Sequence, residues 1–309
     1  SYNKKDFKIK SGVLMEYKGS DKNVIVPDVV KSIGARAFYW CKSSLTGVII
    51  PDSVESIGES AFAECKALKQ VSIGKSLKSI GTYAFRNCTS LKRIELPDCL
   101  EIIGASAFSG CESLVDINIP VSVEKIDREA FRGCAKISKI TITKSVASIG
   151  MLAFAECKSI TNIEAVDNTF FKSIDGNLYS NDGSTLVCYA TGKKDTTFEI
   201  PEGVTTIAEN VLFRAPITSI TLPSSMKSID KHAFWHCDLL VDIKIPNSVT
   251  AIDEAAFESC VSLENIIIPD SVTSIGKGAF SGCESIKDIS IGNDWFNIDF
   301  SPFADSKVL

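Results

Sequence analysis

The sequence predicts an α/β repeat solenoid, and three observations carry that prediction. The stretch Pro51 to Ile73, PDSVESIGESAFAECKALKQVSI, is copied from Gly74, Pro97, Pro120 and Thr143, each 23 residues on, and again from Pro201, Pro223, Pro246 and Pro269. Each copy ends in a segment of the form L-x-x-I-x-I, typified by Leu68, Val71 and Ile73. Apolar residues hold a fixed register: Ile33, Ile57, Ile80, Ile103, Ile126, Ile149, Ile207, Ile229, Ile252 and Ile275 are each followed five residues later by an aromatic, from Phe38 and Phe62 to Phe280, with Leu212 the one departure. Self-similarity at a period of about 20–29 residues with such a segment marks a leucine-rich-repeat solenoid, in which no unit can bury its apolar stripe alone. The expected architecture is a right-handed superhelix with a parallel concave β-sheet of about twelve strands and short helical turns on the convex side.

The elements follow in chain order. Residues 1–26 contain two short alternating segments around Ser11-Gly12 and a third running into Pro27, which reads as a capping hairpin over an otherwise exposed sheet edge. Residues 27–165 hold six repeats, the first with an extra residue near Ser43-Ser44. Within each copy the L-x-x-I-x-I segment is expected to form one parallel strand, ended by Pro or Gly. Gly34, Gly58, Gly81, Gly104, Gly150 and Gly276 share one position with Asp127, Asp230, Asp253 and Ala208, and residues that tolerate positive φ suggest a left-handed backbone there. The next stretch, such as Glu59 to Cys65, is expected to be a turn or two of helix placing Ala61, Phe62 and Cys65 inward. Residues 166–200 break the register around the turn Asn181-Asp182-Gly183, an inserted β-hairpin after which Thr196 to Ile200 rejoins the sheet. Residues 201–291 hold four more repeats. The tail 292–309 carries Trp295, Phe296, Phe300 and Phe303, which either cover the last coil or form an exposed docking patch. All of this is expected to make one continuous domain, with a sheet of roughly 50–55 Å at ~4.8 Å per strand.

The motif I-P-x-S-V-x-x-I-G-x-x-A-F-x-x-C-x-x-L-x-x-I-x-I, spanning Val24 to Ile291, resembles the BspA-type leucine-rich repeats of bacterial surface proteins and of some parasitic protists. That resemblance implies a secreted or cell-surface binding or adhesion module.

Composition bounds the alternatives. Of 309 residues, 45% are hydrophobic and 23% charged, and the net charge is −5. With no dense Lys/Arg run, the electrostatic footprint of a nucleic-acid binder is missing, and no apolar run has the length of a membrane span. Nine of eleven cysteines, Cys41, Cys65, Cys88, Cys111, Cys134, Cys157, Cys237, Cys260 and Cys283, occupy one repeat position, and only Cys99 and Cys188 fall outside it. A row of this kind reads as a buried ladder of small apolar residues, because a zinc cage needs converging ligands.

No catalytic constellation stands out from the repeat background. The only histidines, His232 and His236, are four apart, which on a helix would place both on one face, with Asp230 and Asp238 as available carboxylates. They lack any H-E-x-x-H context. No catalytic residue, metal site or cofactor is assigned.

The outward strand positions vary, and they supply the candidate binding set on the concave face: Gln70, Arg93, Glu95, Asp116, Asn118, Lys139, Asn162, Glu164, Asp242, Lys244, Asn265 and Asp288. A polar set of mixed sign suits a host or microbial surface protein or a glycan. A solvated face without ligand is the alternative, and with it a spacer that displays another domain. Tyr39, Trp40 and Trp235, on the convex edge, are a second candidate or else local packing. No nucleic acid, no membrane insertion and a monomeric state complete the expectation.

Overall fold

The computed structural model describes residues 4–291, so the expectations for the tail aromatics from Trp295 onward lie outside the described residues. The chain divides into two compact units, one ending at Phe170 and the other beginning at Phe171. Each is a β-solenoid of leucine-rich-repeat type built from two rows of parallel strands, one long and one short.

One coil explains the rest. Val54 N–H turns back onto the carbonyl of Pro51, and Ser53 Oγ donates to the Val30 carbonyl of the preceding coil at 2.7 Å. Ser56–Ile57 forms a two-residue strand paired with Ser32–Ile33 before it and Ser79–Ile80 after it. Gln70–Ile73 forms the longer strand, paired with Gly47–Ile50 and Arg93–Ile94. In the first unit the long row is the ladder Asn23–Ile25, Gly47–Ile50, Gln70–Ile73 and Arg93–Ile94, extended by a single bridge from Arg93 to Asp116, and a separate pair Lys139–Ile142 and Asn162–Ala165. In the second unit it is the five strands Thr197–Glu199, Ser219–Thr221, Asp242–Lys244, Asn265–Ile268 and Asp288–Ile291. Among the described residues the first unit therefore has six long strands and the second five, against the twelve expected, because the coil at Asp116 contributes only the bridge.

The helical turns expected over Glu59 to Cys65 are absent. Among the described residues the only helices are two short 3₁₀ turns, Lys4–Asp6 and Tyr39–Cys41. Ser60 and Glu64 are left-handed, with φ of 53° and 64°. This lets alternate amides leave the segment: Ser60, Phe62 and Glu64 donate to the carbonyls of Thr82, Ala84 and Arg86 in the next coil at 2.7–2.8 Å, while Ala61, Ala63 and Cys65 donate back three residues. A helix would spend every amide within itself, and a seven-residue helix has little stability of its own. The segment thus forms a third inter-coil ladder, and the inward placement of Ala61, Phe62 and Cys65 holds, all three being fully buried.

Left-handed pairs four residues apart recur at Tyr83 and Asn87, Ser106 and Gly110, Glu129 and Gly133, Leu152 and Glu156, Asn210 and Arg214, Ala255 and Ser259, and Gly278 and Gly282. The glycine position singled out in the sequence is not among them. A Cβ at Gly58 would lie 2.8 Å from the Ile33 oxygen and one at Gly81 2.8 Å from the Ile57 oxygen, so glycine there permits close approach of neighbouring coils.

The core is a set of columns. Phe38, Phe62, Phe85, Phe108, Phe131 and Phe154 stack with centroids 4.6–5.7 Å apart, as do Phe234, Phe257 and Phe280 at 4.9–5.2 Å. That spacing matches the ~4.8 Å step between paired strands.

The two irregular segments extend the short-strand rows. Phe7–Lys10 and Val13–Tyr17 form an antiparallel hairpin around Ser11-Gly12, and Val13–Leu14 then pairs in parallel with Ser32–Ile33. In the second unit, Phe171–Ile174, Asn177–Ser180 and Thr185–Cys188 form an antiparallel meander whose last strand pairs with Thr206–Ile207. It contains a turn at Asp175-Gly176 besides the one at Asn181 to Gly183, so the inserted segment has three strands where the sequence suggested two.

Candidate binding face

Alternation along each long strand sends one residue into the core and the next outward. Val71, Ile94, Ile140 and Ile163 are buried in the first unit, and Ile243 and Ile266 in the second. Gln70, Arg93, Glu95, Asp116, Asn118 and Lys139 are exposed, as are Asp242, Lys244 and Asn265; Asn162 and Glu164 are half-buried. Asp288 pairs with Asn265 in the backbone register, and its side chain lies outside what is described.

The parallel register gathers these residues into rows across the strands. Asn23, Gly47, Gln70, Arg93 and Asp116 are successive partners in one row. Ile25, Ile49 and Ser72 are successive partners in another. Between them lies a trough of about 560 Å³ over the first four strands, lined by Gln70, Arg93 and Glu95 together with Asn23, Ile25 and Ile49. Gly47 makes a notch in its floor: a Cβ there would lie 2.5 Å from Asn23 Oδ1. The sequence reading missed Asn23, Gly47, Ile25 and Ile49. Aligning NVIVP and GVIIP with QVSIG places Ile25 and Ile49 at the position of Ser72, and that alignment was the available signal.

Farther along the first unit, opposite charges meet across neighbouring strands. Arg93 and Asp116 lie 3.8 Å apart, and Lys139 Nζ lies 2.5 Å from Glu164 Oε2. In the second unit Asp242 and Lys244 flank Ile243, and the exposed Ile267 lies beside Lys244 in register.

The histidines do not share a helical face. Both are left-handed, with φ of 54° and 52°, and each has its own carboxylate: His232 Nδ1 lies 2.9 Å from Glu209 Oε1, and His236 Nδ1 lies 3.2 Å from Asp238 Oδ1. Asp230 instead accepts from Ser228 Oγ at 2.7 Å. Trp235 packs between Phe213, His232 and His236 at 5.0–5.8 Å. Trp40 is 77% exposed and meets Tyr39 edge-on, and Lys42 Nζ sits 4.1 Å over the Tyr39 ring. Among the described residues no three metal-ligating side chains converge.

All eleven cysteines are free thiols. From the second coil onward each ladder thiol donates to the carbonyl of the preceding coil's ladder residue at 3.0–3.5 Å, as in Cys111 to Phe85. Burial pushes the thiols up, Cys65 and Cys111 to about 12 and Cys88, Cys134 and Cys260 well above the ordinary range. Cys99 stands where most copies have Ser, and its thiol reaches the Lys75 and Leu77 carbonyls.

Among the described residues no helix is long and apolar enough to cross a membrane. A sequence model described as BspA type leucine rich repeat region matches residues 8–136, 79–191 and 185–309. The fold is similar to that of the pneumococcal vaccine antigen PcpA, with a TM-score of 0.78 at 27% identity over 91% of this chain and 75% of that one. It is also similar to a leucine rich cell surface protein from Faecalibacterium prausnitzii, with a TM-score of 0.69 at 28% identity over 98% and 96%. A leucine-rich repeat protein from Bacteroides ovatus is similar with a TM-score of 0.52 at 25% identity over 94% and 91%. A search of curated protein sequences finds no match.

Proposed function

Because the chain belongs to the BspA type leucine rich repeat family, we propose that it is a non-enzymatic cell-surface or secreted module that binds a protein or glycan through the outward residues of its long strands. The observation that carries this reading is the trough over the first four strands, where the exposed Ile25 and Ile49 lie beside Gln70, Arg93 and Glu95. Apolar side chains left open within a polar rim are the composition of a docking site. The surface location is supported by a similar protein described as a cell surface protein. The scaffold reading is supported by the family match and by similar proteins described as leucine-rich repeat proteins.

A spacer that displays another domain is the second reading. It is favoured by the pairing of Arg93 with Asp116 and of Lys139 with Glu164, which lets that part of the face satisfy its own charges.

The deciding experiment measures binding of the purified chain to immobilised extracellular-matrix proteins and glycans. The variants Arg93→Glu, Lys139→Glu and Lys244→Glu and the trough variant Ile49→Lys run in parallel. Saturable binding that the trough variant loses supports the module. Binding that survives every variant rules out this face, and no binding at micromolar concentration leaves the spacer reading.

A further inference from the structure

The two rows of strands in the first unit begin differently. The short-strand row starts with the hairpin, whose outer strand Phe7–Lys10 turns Lys8 and Lys10 to solvent. Lysines on an edge discourage pairing with another chain. The long-strand row starts with Asn23–Ile25, which pairs only with Gly47–Ile50 among the described residues.

The direction of its backbone groups is fixed by two contacts. Gly47 N–H donates to the Lys22 carbonyl at 3.0 Å, and Val26 N–H donates to the Ile49 carbonyl at 2.9 Å. Residues along a strand alternate the side to which they bond, so the amides and carbonyls of Asn23 and Ile25 point away from the sheet. Among the described residues they have no backbone partner. The Ile25 side chain is 62% exposed. Beside this edge runs a groove of about 480 Å³ in which Phe7 and Tyr17 are lined up with Asp6, Asp21 and Asp28, and no described lysine or arginine lines it.

We propose that Asn23–Ile25 is a docking edge that takes an added β-strand from an extended, basic segment of another protein. The open backbone groups supply the main-chain pairing, Ile25 and Phe7 receive an apolar side chain, and the three aspartates select lysine or arginine at the alternate positions. With only three residues in the edge strand, few main-chain bonds can form, and binding is expected in the micromolar range. This surface is the rim of the sheet: it shares Asn23 and Ile25 with the trough described above and adds the open backbone edge and the three aspartates, whereas Gln70, Arg93 and Glu95 line the trough alone.

The probe is a fluorescein-labelled octapeptide of alternating Val and Lys, titrated against the whole chain by anisotropy, beside an octapeptide of alternating Val and Glu. The Val-Lys peptide is expected to bind saturably and the Val-Glu peptide about tenfold or more weaker. Ile25→Pro removes the outward N–H and leaves the inward bonds of Val24 and Val26, a substitution that an edge strand tolerates. It is expected to weaken binding about tenfold. Two Val-Lys peptides, N-methylated on one or the other alternate set of amides, test the pairing with the native chain, and only one of them is expected to lose binding. Arg93→Glu and Lys139→Glu are expected to leave the affinity within about twofold, which separates this edge from the face. Absence of binding, equal binding of the Val-Glu peptide, or binding that survives both methylated sets overturns the proposal. Self-association of the chain that Ile25→Pro abolishes also overturns it, by assigning the edge to a second copy.

Discussion

Cys88 Sγ donates to the carbonyl oxygen of Phe62, one coil earlier, at 3.2 Å, and the same oxygen accepts the Cys65 amide at 3.1 Å. Both lone pairs of a buried carbonyl are thereby used. A cysteine column meets this need because the thiol is small, apolar and carries one weak donor. The thiolate is the reactive form, and burial holds these thiols protonated. Treatment of the native chain with iodoacetamide at pH 8 is therefore expected to modify the half-buried Cys99 first and the ladder only after unfolding. Peptide mapping by mass spectrometry checks this, and native modification of Cys111 as fast as Cys99 refutes it.

Phe85 lies between Phe62 at 5.1 Å and Phe108 at 5.3 Å, with the rings within 3° of parallel. Phe85→Ala removes a fully buried ring from the middle of a column and is expected to cost roughly 3–5 kcal/mol in urea unfolding. Phe85→Leu keeps most of the volume and is expected to cost less than about 1.5 kcal/mol. Equal losses for the two variants refute the packing account.

Asp182 accepts from Ser180 Oγ at 2.6 Å and from the Ser184 amide and hydroxyl at 2.9 Å. These bonds, that of Ser180 foremost, hold its carboxyl down at about 2. A depressed carboxyl stabilises the fold above its unfolded value near 3.9 and loses that contribution as pH falls toward 2. Carboxyl NMR titration is expected to give an Asp182 midpoint near 2, moving up toward the ordinary value in Ser180→Ala. An ordinary midpoint in the native chain refutes the turn geometry.

The columns were legible because each copy reports the same environment again. Ile57, Phe62 and Cys65 could be placed inside from the register alone, and they are buried. The path of Glu59 to Cys65 was not legible, because the Ala- and Glu-rich segment reads as a helix locally while the bonds that decide against it go to the next coil. A trace was present in Asn87, Gly110, Gly133, Asn210, Gly278 and Gly282, residues that favour a left-handed backbone, but Ser60, Glu64 and Leu152 at equivalent positions hid it. On the binding face, alternation revealed Gln70 and Arg93. It did not reveal that Ile25 and Ile49 open the trough, because apolar residues in a strand read as core. That the first hairpin joins only one row depends on which strands pair, and no local pattern encodes that.

Two kinds of glycine occur in the repeat, and substitution separates them. Gly278 has φ of 65° and only Ser281 Cβ within 4 Å, at 3.8 Å, of a Cβ built on it, so Gly278→Ala meets no neighbour and reports the backbone alone. The expected loss is about 1–2 kcal/mol, the cost of the left-handed conformation for a residue with a Cβ. Gly81 has no such φ, yet a Cβ there would press to 2.8 Å on the Ile57 oxygen and 2.9 Å on the Gly58 carbonyl carbon, both backbone. Gly81→Ala must therefore push two coils apart, and a loss of roughly 1–3 kcal/mol or more is expected. D-alanine introduced by chemical ligation tells the two causes apart, because it accepts positive φ without strain. At position 278 it is expected to restore stability to within about 0.5 kcal/mol of glycine, since only the backbone cost is removed. Failure of that rescue refutes the left-handed assignment, and with it the account of why these coils form a third ladder in place of helices.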